Sequence, residues 1–115
     1  MKILICEDEV LIALALEDLV LELGHDVVGR VRSAEGARTT AEGETPDIAL
    51  VDLGLADGWT GPELVKEFSA AGIGCIVISG QTEDFEGRSN AVGMLAKPVN
   101  ERELAALLTG RSDET

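Results

Sequence analysis

Apolar residues along this chain come in short runs, and most of the runs stop abruptly on a polar side chain. Ile3-Leu4-Ile5-Cys6 meets Glu7, Ile48-Ala49-Leu50-Val51 meets Asp52, Cys75-Ile76-Val77-Ile78 meets Ser79, and Met94-Leu95-Ala96 meets Lys97. Such runs are too short for three helical turns and read as strands buried on both faces, as in a parallel sheet. Asp26 to Val31, rich in β-branched residues, reads as a further strand. Between the strands the period changes. From about Glu9 to Leu23, the residues Ile12, Leu16, Leu19, Val20 and Leu23 recur at helical spacing and predict a core stripe. Leu11, Leu14 and Leu21 project on the opposite side, and Gly24 stops the helix. A weak, short helix is expected from Ser33, which can cap it, to about Glu42. A third runs from Pro62 to Ala71 after the Gly-rich turn Ala56 to Gly61, and a last one from Glu101 to Leu108, capped by Asn100. Thr82 to Ala91 is polar and interrupted by glycine, so a helix there is short and weakly held, and Gly110 to Thr115 reads as a frayed tail. Strands alternating with helices in this way predict an α/β fold: a doubly wound, five-stranded parallel sheet with right-handed crossovers and a shortened fourth-helix region.

Composition narrows the partners. The length of 115 residues fits one domain spanning 1–115, without room for a second core. A net charge of −13 argues against nucleic acid or an anionic membrane surface, which would be repelled, and in favour of a cationic or metal-bearing partner. Cys6 and Cys75 lie inside apolar runs, where a thiol packs as a small hydrophobe, and two cysteines are too few for a disulfide scaffold; the expected location is the reducing cytoplasm. The first apolar run breaks at Glu7-Asp8-Glu9, too early for a signal peptide, and no run approaches membrane-spanning length.

The chemistry is carried by the strand ends. In open α/β sheets the carboxyl edge is where ligands bind, and here it would gather Glu7 and Asp8 after the first strand, Asp52 after the third, Ser79 after the fourth and Lys97 after the fifth. Carboxylates crowded together raise one another's pKa unless a hard divalent cation shares them, and an all-oxygen, incomplete cage suits Mg²⁺. A cation, a hydroxyl and an ammonium beside Asp52 make a pocket for a phosphoryl group, with Asp52 as nucleophile. Taken singly, each residue has a plainer role. Glu7-Asp8-Glu9 suits a solvated helix start, Asp52 before Gly54 can cap a turn, Ser79 and Lys97 can be structural, His25 can be a surface loop residue, and Met94 can be core. Five such residues at four strand ends are hard to obtain from folding needs alone.

These residues resemble the receiver domain of two-component response regulators, in which a histidine kinase donates phosphate to an aspartate. The resemblance runs from Ile3 to Leu108 and rests on Glu7-Asp8, Val51-Asp52-Leu53, Ser79-Gly80 and Lys97-Pro98 in the family's order. It implies the flavodoxin-like receiver fold, with Asp52 as phosphoacceptor. Mg²⁺ would be held by Asp8, Asp52 and the backbone carbonyl of Gly54, with Glu7 acting through water. Ser79 would be the switch hydroxyl and Lys97 the phosphoryl-binding ammonium. It also implies a sensor histidine kinase or phosphotransfer protein as donor, a single-domain regulator with no DNA-binding output, and a monomer or weak homodimer. Ala56 stands where receivers usually carry proline, Met94 where they carry an aromatic switch residue, and the gap from Ser79 to Lys97 is short. Asp52-Leu53-Gly54-Leu55, Pro62 ten residues beyond the aspartate and the shortened fourth-helix region resemble the FAT GUY subgroup, whose A-T-G-Y signature corresponds here to Ile78-Ser79-Gly80-Gln81 and which commonly works with kinases of the HWE and related types. Without the aromatic, switching is expected to appear as ordering or displacement of Thr82 to Val92. Two other classes bear on the same residues. Toprim and haloacid-dehalogenase enzymes also place acids at strand ends, but their D-x-D pair is broken here by Gly54. A receiver that binds a partner without taking phosphate is the other.

Overall fold

Odd and even positions of the apolar runs bury into different layers, and that alternation organises the molecule. The computed structural model describes residues 1–80, 85 and 87–112. Strands β1 (Lys2–Cys6), β2 (Asp26–Val31), β3 (Ile48–Asp52), β4 (Gly74–Ser79) and β5 (Gly93–Ala96) form one parallel sheet in the order β2-β1-β3-β4-β5. Helices α1 (Val10–Glu22) and α4 (Glu101–Ser112) cover one face, and α2 (Ala34–Gly43) and α3 (Gly61–Ala70) the other. Ile3, Ile5, Ile48, Leu50, Ile76 and Ile78 pack with Ala13, Leu16 and Val20 of α1 and Leu104 and Leu108 of α4. Their sheet neighbours Leu4, Cys6, Ala49, Val51, Cys75 and Val77 pack instead with Ala34 and Ala37 of α2 and Leu64, Val65 and Phe68 of α3. Each large side chain fully buried in this way contributes about 1.5–3 kcal/mol relative to exposure, so every central strand is held from both sides.

Several expectations need adjustment. The buried face of α1 is Ala13, Leu16 and Val20, while Ile12, Leu19 and Leu23 are only partly buried at its flank. Leu11, Leu14 and Leu21 are exposed, as the spacing predicts. The last helix runs to Ser112 instead of fraying from Gly110, since one glycine near a helix end costs only about 1 kcal/mol and the turn before it is anchored by Leu104 and Leu108. Between β4 and β5 the described residues hold one 3₁₀ turn, Arg88–Asn90. Gln81 to Asp84 and Glu86 lie outside the described residues, and with them four of the eleven residues, Thr82 to Val92, of the segment expected to order on switching. His25 is half-buried, with Nδ1 3.0 Å from the Met1 ammonium, so it ties down the amino terminus. Burial and that positive charge lower its pKa, although Asp26 opposes them. A β-bulge interrupts the β1–β2 ladder: Ile3 pairs with Val27 but Leu4 with Gly29.

Candidate functional site

The strand order places a topological switch point between β1 and β3, and Glu7, Asp8 and Asp52 stand on either side of it. One carboxylate oxygen of each lies within 4.8 Å of the others. Asp52 is the last residue of β3, held at the point where the strand leaves the sheet, with 14% of its side chain exposed. Glu7 is 1% exposed, which rules out the solvated helix-start reading for this residue; Glu9 takes the exposed N-cap position instead.

Lys97 closes the group from the opposite side. Its backbone N–H donates to Ser79 O at 3.0 Å, so the end of β4 sets its height above the sheet. Its Nζ donates to Asp52 Oδ2 at 2.7 Å and stands 2.9 Å from Glu7 Oε1. The ammonium is aimed at Asp52. Its attraction to Glu7 is Coulombic, and Glu7 Oε1 is left buried without a directed hydrogen bond, while Oε2 accepts Glu9 N–H at 3.1 Å. Burial raises the Glu7 pKa and the Asp52 charge raises it further, against the opposing pull of Lys97 and the Glu9 amide. For Lys97 burial acts to lower the pKa, but the hydrogen bond to Asp52 and the negative charges of Asp52 and Glu7 outweigh it and the net shift is upward, so the ammonium stays charged. Ser79 is 9% exposed at the end of β4, beside the same edge. The structure thus brings Glu7, Asp8, Asp52, Ser79 and Lys97 to one edge of the sheet. Gly54 sits two residues beyond Asp52, in a loop across which the Trp59 ring lies: a methyl on Gly54 would stand 3.8 Å from Trp59 Cε3.

Other residues that shape the site are not legible as such in the sequence. A Cβ on Gly61 would come within 2.3 Å of Asp52 O and 2.5 Å of Leu53 Cα, so only glycine lets α3 begin directly against the peptide that follows the central aspartate. Arg32 Nε donates to Asp8 O at 3.2 Å, and Arg32 O accepts Ala56 N–H at 2.8 Å. Asp57 reaches away from its own loop: Oδ1 accepts Ala34 N–H at 3.1 Å and Thr60 Oγ1–H at 2.7 Å, and Oδ2 accepts Glu35 N–H at 3.3 Å. The Thr60 hydroxyl and these amides hold the Asp57 carboxyl below its ordinary range. Beside the acidic group, α1 and the loop after β5 enclose an apolar groove of about 460 Å³, lined by Leu11, Ile12, Leu16, Leu19, Pro98 and Val99 and reaching Lys97. Leu11, 81% exposed, forms its outer lip, so it adjoins Ile12 and does not lie opposite it. No helix among the described residues is long and apolar enough to cross a membrane.

A parallel sheet of this order, with acids at the switch point and a lysine closing them from the edge strand, defines a receiver-type α/β domain. Residues 3–109 match the response regulator receiver domain, and the chain belongs to that family. It is 35% identical over 112 residues to the phyllosphere-induced regulator PhyR of Methylorubrum extorquens, a match covering 94% of this chain and 42% of that protein. The signal receiver domain of a modulated diguanylate cyclase from Desulfovibrio desulfuricans G20 superposes with a TM-score of 0.84 at 34% identity, covering 95% of this chain and 90% of that one. PhyR from Brucella abortus superposes at 0.79 with 34% identity, covering 94% and 46%. The chain therefore spans less than half the length of the PhyR proteins it resembles.

Proposed function

We propose that Asp52 is the phosphoacceptor of this receiver, taking a phosphoryl group from a histidine kinase or phosphotransfer protein in the presence of Mg²⁺. The observation that carries the reading is Lys97 Nζ standing 2.7 Å from Asp52 Oδ2 and 2.9 Å from Glu7 Oε1 at the mouth of the acidic group. The donor set fits a hard cation: three carboxylates within reach of one another, one of them presenting a buried oxygen with no directed hydrogen bond. Glu7, Asp8, Asp52 and the Gly54 carbonyl would hold Mg²⁺, which when bound neutralises the carboxylates and the phosphoryl oxygens. Asp52 supplies the attacking oxygen; a new O–P bond forms as the P–N bond to the donor imidazole breaks, and the freed imidazole takes up a proton. Lys97 pairs with the phosphoryl charge that arrives beside Asp52, and the Ser79 hydroxyl hydrogen-bonds to one of its oxygens. The donor docks its helical bundle on α1 and the groove leading to Lys97; the FAT GUY resemblance points to a kinase of the HWE type.

The test is intact mass after incubation with acetyl phosphate and Mg²⁺. One phosphoryl group is expected on the wild type and none on Asp52→Asn or in chelator; labelling that survives either change overturns the reading. Leu14→Glu is expected to slow transfer from the cognate kinase while leaving acetyl phosphate labelling intact. Loss of both routes together would mean that the substitution disturbs the phosphoryl pocket itself, and no effect on either would remove α1 from the docking surface.

A further inference from the structure

We propose that Asp57 is a positioning residue for the cation site: by clasping the start of α2 it holds the loop between β3 and α3, and with it the Gly54 carbonyl, where a divalent cation is bound. The inference rests on the phosphoacceptor reading and deepens it. Within the loop, Leu55 and Gly58 exchange backbone hydrogen bonds of 2.8 and 2.9 Å, making a tight turn with Asp57 at its corner. Leu55 anchors one end of that turn in the core. Ala56, Asp57, Gly58 and Trp59 are all exposed, so apolar packing does little to fix its tip. Among the described residues, its hydrogen bonds outside the loop run to one short stretch of backbone: Ala56 N–H to Arg32 O, and Asp57 to the Ala34 and Glu35 amides. The same stretch holds the other arm of the acidic group, since Arg32 Nε donates to Asp8 O. Arg32 and the backbone amides of Ala34 and Glu35 thus act as a strut between the loop that carries Asp8 and the loop that carries Gly54. Ser33 already caps the helix in the ordinary way, accepting Gly36 N–H at 3.0 Å. Asp57 adds to that cap from 23 residues away, and what it adds is a connection between the helix and the ligand-bearing loop.

If the clasp favours the cation, the cation must favour the clasp by the same free energy. Mg²⁺ alone is the probe, titrated into the full chain by calorimetry and by the fluorescence of Trp59, the one tryptophan, which lies against Gly54. Asp57→Ala is expected to raise the Mg²⁺ Kd roughly tenfold or more, the usual cost of removing the groups that hold metal ligands in place, and Asp57→Asn, which keeps one acceptor oxygen, to recover part of the loss. Ser33→Ala unfastens the same helix end without touching the loop and is expected to leave the Kd unchanged. In the wild type, Mg²⁺ should slow amide exchange at Ala34 and Glu35, and in Asp52→Asn it should not. Equal weakening by Asp57→Ala and Ser33→Ala would overturn the proposal in favour of simple helix capping. An unchanged Kd in Asp57→Ala, with binding lost in Asp52→Asn, would overturn the clasp alone; a wild type that binds no Mg²⁺ would overturn both the clasp and the phosphoacceptor reading. Should Asp57→Ala fail to fold, Asp57→Asn and the wild-type exchange measurement carry the test.

Discussion

The acidic wall and the basic wall of the pocket hang from different parts of the sheet. Glu7, Asp8 and Asp52 follow β1 and β3, central strands paired on both sides and buried in both layers. Lys97 follows β5, an edge strand of four residues paired only with β4 and approached through a 3₁₀ turn. Even the close contacts differ in kind. At the acidic wall, the nearest atoms to a Cβ on Gly61 are backbone; at the basic wall, the nearest to a Cβ on Gly93 are the Leu107 methyls, at 2.7 and 2.8 Å. The carboxylates are thus fixed by structure that cannot yield locally, while the ammonium rides on structure that can.

The sharpest way to break the comparison is Gly61→Ala, which drives a methyl into the Asp52–Leu53 peptide and is expected to cost about 3 kcal/mol or more in a denaturant titration. If Gly61→Ala is tolerated, the acidic wall is softer than described. Next in size, native-state amide exchange should show Leu50 and Val51 opening only with global unfolding, while Leu95 and Ala96 exchange at least tenfold faster, a gap of about 1.4 kcal/mol. Equal protection of β3 and β5 would erase the distinction. Gly93→Ala meets only the end of a flexible side chain and is expected to cost about 1 kcal/mol.

Smallest is a pH effect confined to the acidic wall. Burial raises the Glu7 pKa in the folded state, so the folded protein holds that proton to higher pH than the unfolded chain does. The contribution to stability is fully present below the ordinary value of 4.5 and is lost as pH rises through the elevated folded value. In the absence of Mg²⁺, thermal melts should therefore show Glu7→Gln gaining on the wild type as pH rises through that window. A difference that stays constant with pH would mean Glu7 is not the buried acid that titrates.

The strand ends were legible because each is marked by local punctuation: an apolar run, then one polar residue. Asp52, Ser79 and Lys97 are announced within a few residues of themselves, and the sheet order then brings them together. The supports were hidden for the opposite reason. Asp57 looks like a turn aspartate and nothing near it indicates that it will meet the Ala34 amide; Gly61 looks like a helix-start glycine, and its need for space is set by β3 packed beneath it. Ala13 is buried in the core, yet a small residue carries little weight in a hydrophobic stripe and so does not stand out in the sequence. The exposed Leu14 and Leu21 were readable because helical spacing alone divides α1 into faces, whereas Leu11 sits at the boundary between them and joins the groove.

The bulge in β2 has a bearing on assembly. An unpaired edge invites a second copy to extend the sheet, and β2, at one end, is the longer and more β-branched of the two edge strands. By pairing Ile3 with Val27 and Leu4 with Gly29, the bulge breaks the regular spacing of the outer amides and carbonyls, and the exposed Asp26 and Arg30 stud the same strand with charge. Zippering of two molecules along this edge is thereby discouraged at the level of the backbone.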